Sequence, residues 1–269
     1  MKIVKKQILL TTTILILTFC LIGAVSAAES NDTVDIDAQI MNVDVPFVEN
    51  QGQTDEEVSY YAKTFYGTSY VTHDGVTHQI QGKDNTTLVL KEQFLDSNGN
   101  PIKFQAKGEE PSDTTVSYFK GNDPNNWQTN LATYNYINLG ELYPGIVVKL
   151  RATGSNIEKL FFISPGANPE NIRIQILGAD QLQTDEKGNL NITSSGFEQV
   201  SMTPPQAYQD KNDIEVKYQT NGNTYQFQIG NYNHNQELII DPTLEYSTYL
   251  GGTSYEYGYG IAVDNTGSA

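Results

Sequence analysis

Cysteine is almost missing from this sequence: one occurs, Cys20, inside an apolar run near the N-terminus. With no second thiol the chain closes no internal disulfide and carries no redox pair. Basic residues are scarce as well. Lys and Arg total 16 against 32 Asp and Glu, a formal net charge of −16. A surface of that sign repels phosphate backbones, so nucleic-acid binding is disfavoured. No basic cluster is present that would seek anionic lipid. Histidine is limited to His73, His78 and His234, whose spacing gives no metal-ligand pattern. No G-x-S-x-G elbow, H-E-x-x-H helix or phosphate-cradling Gly loop occurs. Extended helical periodicity is also absent. Carboxylates are plentiful, which makes any chosen pair uninformative. A glycosidase would need two at a set separation, one against an apolar wall.

The N-terminus has the layout of an export signal. Lys2, Lys5 and Lys6 precede "ILLTTTILILTFCLIGAV" (residues 8–25), and "SAAES" follows with small residues at Val25 and Ala27. This order of charged, apolar and cleavable regions predicts a signal-peptide helix over residues 1–27, removed after Ala27. The alternative is an uncleaved anchor, since the run is long enough to span a bilayer. Phe19 is too bulky for a lipobox around Cys20. Cleavage would take three Lys and no acid, moving the formal charge from −16 to −19. A secreted or cell-surface location follows. In that setting the sequons at Asn31, Asn85 and Asn191 are candidate glycan acceptors.

Tyrosine (17) and phenylalanine (10) are abundant, and both favour pleated, half-buried surfaces. Residues 28–45 read as an acidic linker. From Pro46 to Pro242 the pattern is strand, turn, strand at intervals near ten residues. "TSYVT" and "VTHQI" flank Asp74-Gly75; "TTLVLKEQFL" and "PIKFQAKG" flank "DSNGN"; "DQLQT" and "NLNIT" flank "DEKG"; "DIEVKYQT" and "TYQFQIG" flank "NGN". The expected fold is all-β: an antiparallel, hairpin-rich, β-sandwich-like domain of one or two packed sheets. Pro204-Pro205 is the best internal break, because neither residue donates a ladder hydrogen bond. Short helical turns are expected at residues 169–172 and 139–143. Trp127, the single tryptophan, is expected in the core. Tyr255, Tyr257 and Tyr259 alternate and so share one strand face. No metal site and no cofactor are expected. Weak calcium binding at Asp/Asn/Gly turns such as "DSNGN" and "DNTGS" is the one allowance, although the distal Glu and flanking helices of a calcium loop are missing.

Several stretches together carry a family resemblance. "VPFVENQGQTDEEVSYYAKTFYGTSYVTHDGV" (residues 45–76), "YFKGNDPNNWQTNLATYNYINLGELYPGIVVKL" (118–150), "EKLFFISPGANPENIRIQILGAD" (158–180) and "ELIIDPTLEYSTYLGG" (237–252) occur in order. They resemble a domain of unknown function, DUF7948-like, found at the N-terminus of exported archaeal and bacterial surface proteins. In that family an array of SBBP β-propeller repeats follows. "YSTYLGGTSYEYGYGIAVDNTGSA" (246–269) resembles the opening of the first repeat, so residues 243–269 read as a partial SBBP repeat, with Gly267-Ser268-Ala269 in place of the usual G-N-A. The resemblance implies a non-catalytic structural or adhesive module. Its implied partners are cell-surface or extracellular-matrix components, glycans among them, with membrane contact only through residues 1–27 if uncleaved. Two rivals stand beside it: a secreted carbohydrate-active hydrolase using paired carboxylates, and a sugar- or peptide-binding module marked by exposed aromatics such as Trp127.

Overall fold

A computed structural model describes residues 43–82, 86–124, 127–154 and 156–245. The expected signal segment, Asn31, Asn85 and the repeat-like stretch beyond residue 245 lie outside the described residues.

The described residues form 21 strands and one 3₁₀ turn, Pro169–Asn171. The first group is β1 (Phe47–Glu49), β2 (Val58–Thr64), β3 (Gly67–Thr72), β4 (Gly75–Gln81), β5 (Thr87–Phe94) and β6 (Lys107–Pro111). Next come β7 (Val116–Tyr118), β8 (Gln128–Leu131), β9 (Thr133–Tyr143), β10 (Ile146–Ala152) and β11 (Asn156–Ile163). Then follow β12 (Ile174–Leu177), β13 (Gln181–Thr184), β14 (Leu190–Thr193), β15 (Val200–Met202), β16 (Gln206–Gln209) and β17 (Asn212–Asp213). The last are β18 (Val216–Asn221), β19 (Thr224–Ile229), β20 (Leu238–Asp241) and β21 (Thr243–Glu245).

All ladders are antiparallel. One continuous path runs β18, β19, β12, β5, β4, β3, β2, β1, β9, β10, β11, β21, β15, β14, β13. Its two ends, β18 and β13, approach within 8 Å between Cα atoms, so the sheet curls into a closed barrel. The barrel is flattened. Phe94 of β5 meets Phe161 of β11 with ring centroids 6.4 Å apart, and Phe161 meets Phe227 of β19 at 5.5 Å. Along the ladder β5 and β11 are separated by β4, β3, β2, β1, β9 and β10, so these contacts cross the interior. The result is the sandwich-like packing that the alternating sequence predicts. The inward phases are regular: Leu88, Leu90 and Phe94 on β5, and Ile157, Phe161 and Ile163 on β11, are all buried. β7 and β8 form a separate two-stranded flap.

Three local expectations are corrected. The segment 139–143 is strand, the end of β9. Opposite β10, Val148 pairs with Gly140 while Lys149 pairs with Asn138, and Ile146 pairs with Tyr143 while Val147 pairs with Glu141. Leu139 and Leu142 are therefore the extra residues of two bulges, with Gly140 at φ 87°. The bulges give Leu139, Leu142 and Tyr143 the i, i+3, i+4 spacing of a helix face. "PIKFQAKG" does not return along β5: pairing stops after Leu95–Pro101 and the Ile102 N–H bond to Phe94, and β6 pairs with β9 instead. Pro101 has no N–H with which to extend that ladder. Trp127 is 41% exposed on the flap, stacked edge-on against the 60%-exposed Phe119, with its indole N–H donated to the Gly121 carbonyl. A hydrogen bond and one aromatic neighbour satisfy it without the core.

Pro204-Pro205 is a corner with a clear role. β15 and β16 flank the same neighbour, pairing with β21 and β20 in turn. The two prolines fall where that neighbour has its own Pro242, a point at which neither run can donate to the other. On the opposite side, the Lys159 N–H still reaches the Pro242 carbonyl at 3.4 Å. The sheet therefore takes in Thr243–Glu245, residues that the resemblance assigns to the repeat. Truncation after Pro242 is expected to lower the urea midpoint, by about 2–4 kcal/mol in stability, because it strips a ladder from both β11 and β15. Equilibrium denaturation of the two lengths checks this.

Candidate functional site

Two constellations stand out, one sealed inside the barrel and one where the chain enters and leaves it.

The first is set by strand phase. Ser69 on β3, His78 on β4 and Glu92 on β5 point inward, as does Lys159 on β11 from the opposite layer and Tyr225 on β19. Each is 2% exposed or less. Glu92 is the hub. Its Oε1 lies 3.0 Å from His78 Nε2 and 3.0 Å from Lys159 Nζ, and its Oε2 accepts from the Tyr225 hydroxyl at 2.9 Å. A carboxylate only accepts, so His78 Nε2 donates to Glu92, and His78 Nδ1 shares a hydrogen bond with the Ser69 hydroxyl, 2.9 Å away. Burial pushes the Glu92 pKa up, but the Lys159 charge and the donors from His78 and Lys159 overcome it and hold the group at about 2. Burial and the neighbouring carboxylate push the Tyr225 hydroxyl well above its ordinary value.

Ser, His and an acid in one chain of hydrogen bonds invite comparison with a hydrolytic triad. Here the hydroxyl sits in the core, 2% exposed, beneath a continuous sheet, and a substrate carbonyl has no path to it. The arrangement instead neutralises a buried ion pair and saturates it with donors, the condition under which such a pair is tolerated. Of these residues only His78 drew notice in the sequence. A signal for the others exists in the period of two: Glu92 falls in the apolar series Leu88, Leu90, Phe94, and Lys159 in the series Ile157, Phe161, Ile163.

The second constellation is a clasp. Asp44 bridges to Thr153, and the Val45 N–H bonds the Ala152 carbonyl, so the incoming run lies along the end of β10. The outgoing β21 pairs Glu245 with Asn156 at the start of β11. Thr153 and Asn156 close the β10–β11 turn with reciprocal bonds. Arg151 ties these parts together: its Nη2 is 2.7 Å from Asp44 Oδ1 and its Nη1 is 3.4 Å from Glu158 Oε2. Burial and then the charge of Asp241 raise the Glu158 pKa. Burial also raises that of Asp241, whose Oδ1 is enclosed with no hydrogen-bond partner.

The remaining sequence-selected residues are not brought together. His73 is exposed at the β3–β4 turn, and His234 lies in the loop before β20. The Asp96 and Asp185 carboxylates accept backbone N–H groups of their own turns at 2.8–2.9 Å, as Asx turns do. Among the described residues no group of three or more His, Cys, Asp and Glu side chains is placed to share an ion. Asn191 is half-buried on β14, its Oδ1 accepting from the Ser201 hydroxyl at 2.7 Å. The acidic run Asp55–Glu57 is exposed.

These features define an all-β antiparallel domain with a sealed polar core. The chain belongs to a family, the domain of unknown function DUF7948, whose model matches residues 47–243. Comparison with curated proteins and with solved structures finds no match.

Two solution measurements follow. Glu92 has a lowered native pKa, so its contribution to stability is present above its ordinary value of 4.5 and is lost as pH falls toward about 2. The loss is on the order of 3 kcal/mol. Glu92→Gln is expected to cost about 3–5 kcal/mol at neutral pH, because Lys159 is left buried without a counter-charge, and to flatten this acid limb in urea melts. Asp241 has the opposite sign: its raised pKa means that stability is lost as pH rises through the native value. Asp241→Asn is thus expected to raise the melting midpoint at pH 7, on the order of 2 °C, with the gain shrinking in acid.

Proposed function

We propose that this chain is an exported, non-catalytic cell-surface module that anchors a β-propeller repeat array and presents it to extracellular partners. The observation that carries the reading is the way the chain leaves the domain. β20 and β21 form the outgoing run, and it lies between β11 on one side and β16 then β15 on the other. A central strand cannot fray from one edge, so a segment continuing past Glu245 starts from a fixed base. The export-like N-terminus and the repeat-like residues 246–269 support the same reading.

The incoming run adds to this. β1 is also central, between β2 and β9, and Asp44 and Glu245 pair with the two sides of the same β10–β11 turn. Tension between the preceding and following segments is then carried through that hairpin and Arg151.

A second reading, a glycan- or peptide-binding module, is favoured by the exposed Phe119–Trp127 pair.

The export reading is tested by N-terminal sequencing of the chain from a Sec-competent host, after cell fractionation. A mature terminus at Ala28 in the medium or on the surface is expected. Cytosolic protein retaining Met1 would contradict it.

A further inference from the structure

The outer face of the β18–β19 hairpin carries a feature that the anchoring role does not use. Alternation buries Tyr218, Tyr225 and Phe227 and turns Gln219, Gln226 and Gln228 outward. The side-chain amides of these three make no hydrogen bond to the described residues, so each offers a free donor and a free acceptor. They floor a groove of about 700 Å³. That is ample for a bound small molecule or chain segment.

The walls are built and held. On one side Asn168 caps the 3₁₀ turn, its Oδ1 accepting the Glu170 N–H at 3.0 Å. The Gly166 N–H then bonds the His234 carbonyl at 2.8 Å and joins this wall to the opposite loop. From β16 the buried Gln209 side chain accepts the Asn233 N–H and donates to the Asn233 carbonyl, both at 2.8 Å. The Tyr232 and His234 rings touch at a tilt of 46°, with centroids 4.2 Å apart. The backbone of Arg173 is clamped by the Tyr143 hydroxyl, which donates to its carbonyl at 2.8 Å and accepts its N–H at 3.2 Å. Walls fixed in advance reduce the ordering cost of binding. Arg173 also lines a second cleft of about 410 Å³, so the two adjoin at this residue.

The chemistry selects a ligand class. Glu170 and Arg173 offset one another, so the lining is near neutral on a chain of formal charge −16. An anionic polymer would meet one Arg and a repelling surface. A peptide would be expected to anchor apolar side chains, and the floor here is a polar strand face. Rows of side-chain amides suit vicinal hydroxyls, which both donate and accept, and the Tyr232 ring at one end suits the C–H face of a pyranose. We propose that this groove binds a neutral oligosaccharide chain running from the Tyr232–His234 pair across Arg173 into the second cleft. The inference rests on the binding-module reading and moves its ligand away from the Trp127 flap.

The test titrates the full chain calorimetrically with cellohexaose, maltohexaose, mannohexaose and xylohexaose, with oligogalacturonate and hexaglycine as contrasts. At least one neutral hexasaccharide is expected to bind with Kd below about 1 mM. Gln226→Ala/Gln228→Ala and Arg173→Ala are each expected to weaken it about tenfold, through lost hydrogen bonds, with unchanged melting midpoints. Trp127→Ala is expected to leave it unchanged. Binding abolished by Trp127→Ala and kept by the groove variants would overturn the groove while sparing the binding module. Failure of every neutral hexasaccharide, or binding of oligogalacturonate or hexaglycine alone, would overturn the proposal; failure of all six ligands would overturn the module reading with it.

Discussion

The ion pair between Glu92 and Lys159 fixes how the two layers of this barrel meet. It joins β5 to β11 across the interior, between residues 67 positions apart, and both side chains are 2% exposed or less. A charge in that setting is tolerated only when fully paired. Glu92 must therefore face Lys159, and His78 and Tyr225 must fill its remaining lone pairs. An offset of one residue in β5 would turn Glu92 to solvent and Gln93 inward, stranding the Lys159 charge. The network thus acts on register as well as on stability, a specificity that a purely apolar interface of the same size would supply less sharply. The aromatic contacts of Phe94, Phe161 and Phe227 pack around the same crossing and supply the apolar burial that offsets its desolvation.

From that crossing the arrangement of the ends follows. Lys159 sits on β11, and β11 is also the strand on which the outgoing β21 is seated. Six residues before Lys159 is Thr153, where the turn meets the incoming run. The β10–β11 hairpin therefore receives both what comes before, at Ala152 and Thr153, and what comes after, along β11. Arg151, one turn-side step away on β10, serves Asp44 and Glu158 together, and Asp241 beside them carries a carboxylate oxygen with no partner. The clasp holds more negative charge than Arg151 can offset, so this corner gains stability as protons bind while the core loses it.

What the sequence made legible was local. The β3–β4, β13–β14 and β18–β19 hairpins follow from turn residues between alternating runs, and the 3₁₀ turn from Pro169 after Asn168. What it hid was either non-local or a break in period. The bulges in β9 imitate helical spacing at Leu139, Leu142 and Tyr143. "PIKFQAKG" looks like the return arm of a hairpin, but its ladder partner, β9, lies well downstream. Trp127 was misplaced because its partners, Phe119 and the Gly121 carbonyl, belong to a flap whose separateness no composition reveals. The partnership of Glu92 with Lys159 needed the fold itself, although each charge, standing in an inward phase among Leu, Ile and Phe, already implied a buried partner. The groove on β18–β19 was equally invisible, since its floor comes from one hairpin, one wall from the loop that follows it and the other from residues 168–173, far earlier in the chain.

The central claim is that the outgoing run is as firmly held as the core. Native-state amide hydrogen exchange measures this directly. The account predicts that the amides of Ile240 and Leu244 exchange only with global unfolding, at the same free energy as those of Glu92 and Phe161. Exchange of the 243–245 amides through a local opening well below that free energy, with β5 and β11 still protected, would contradict it.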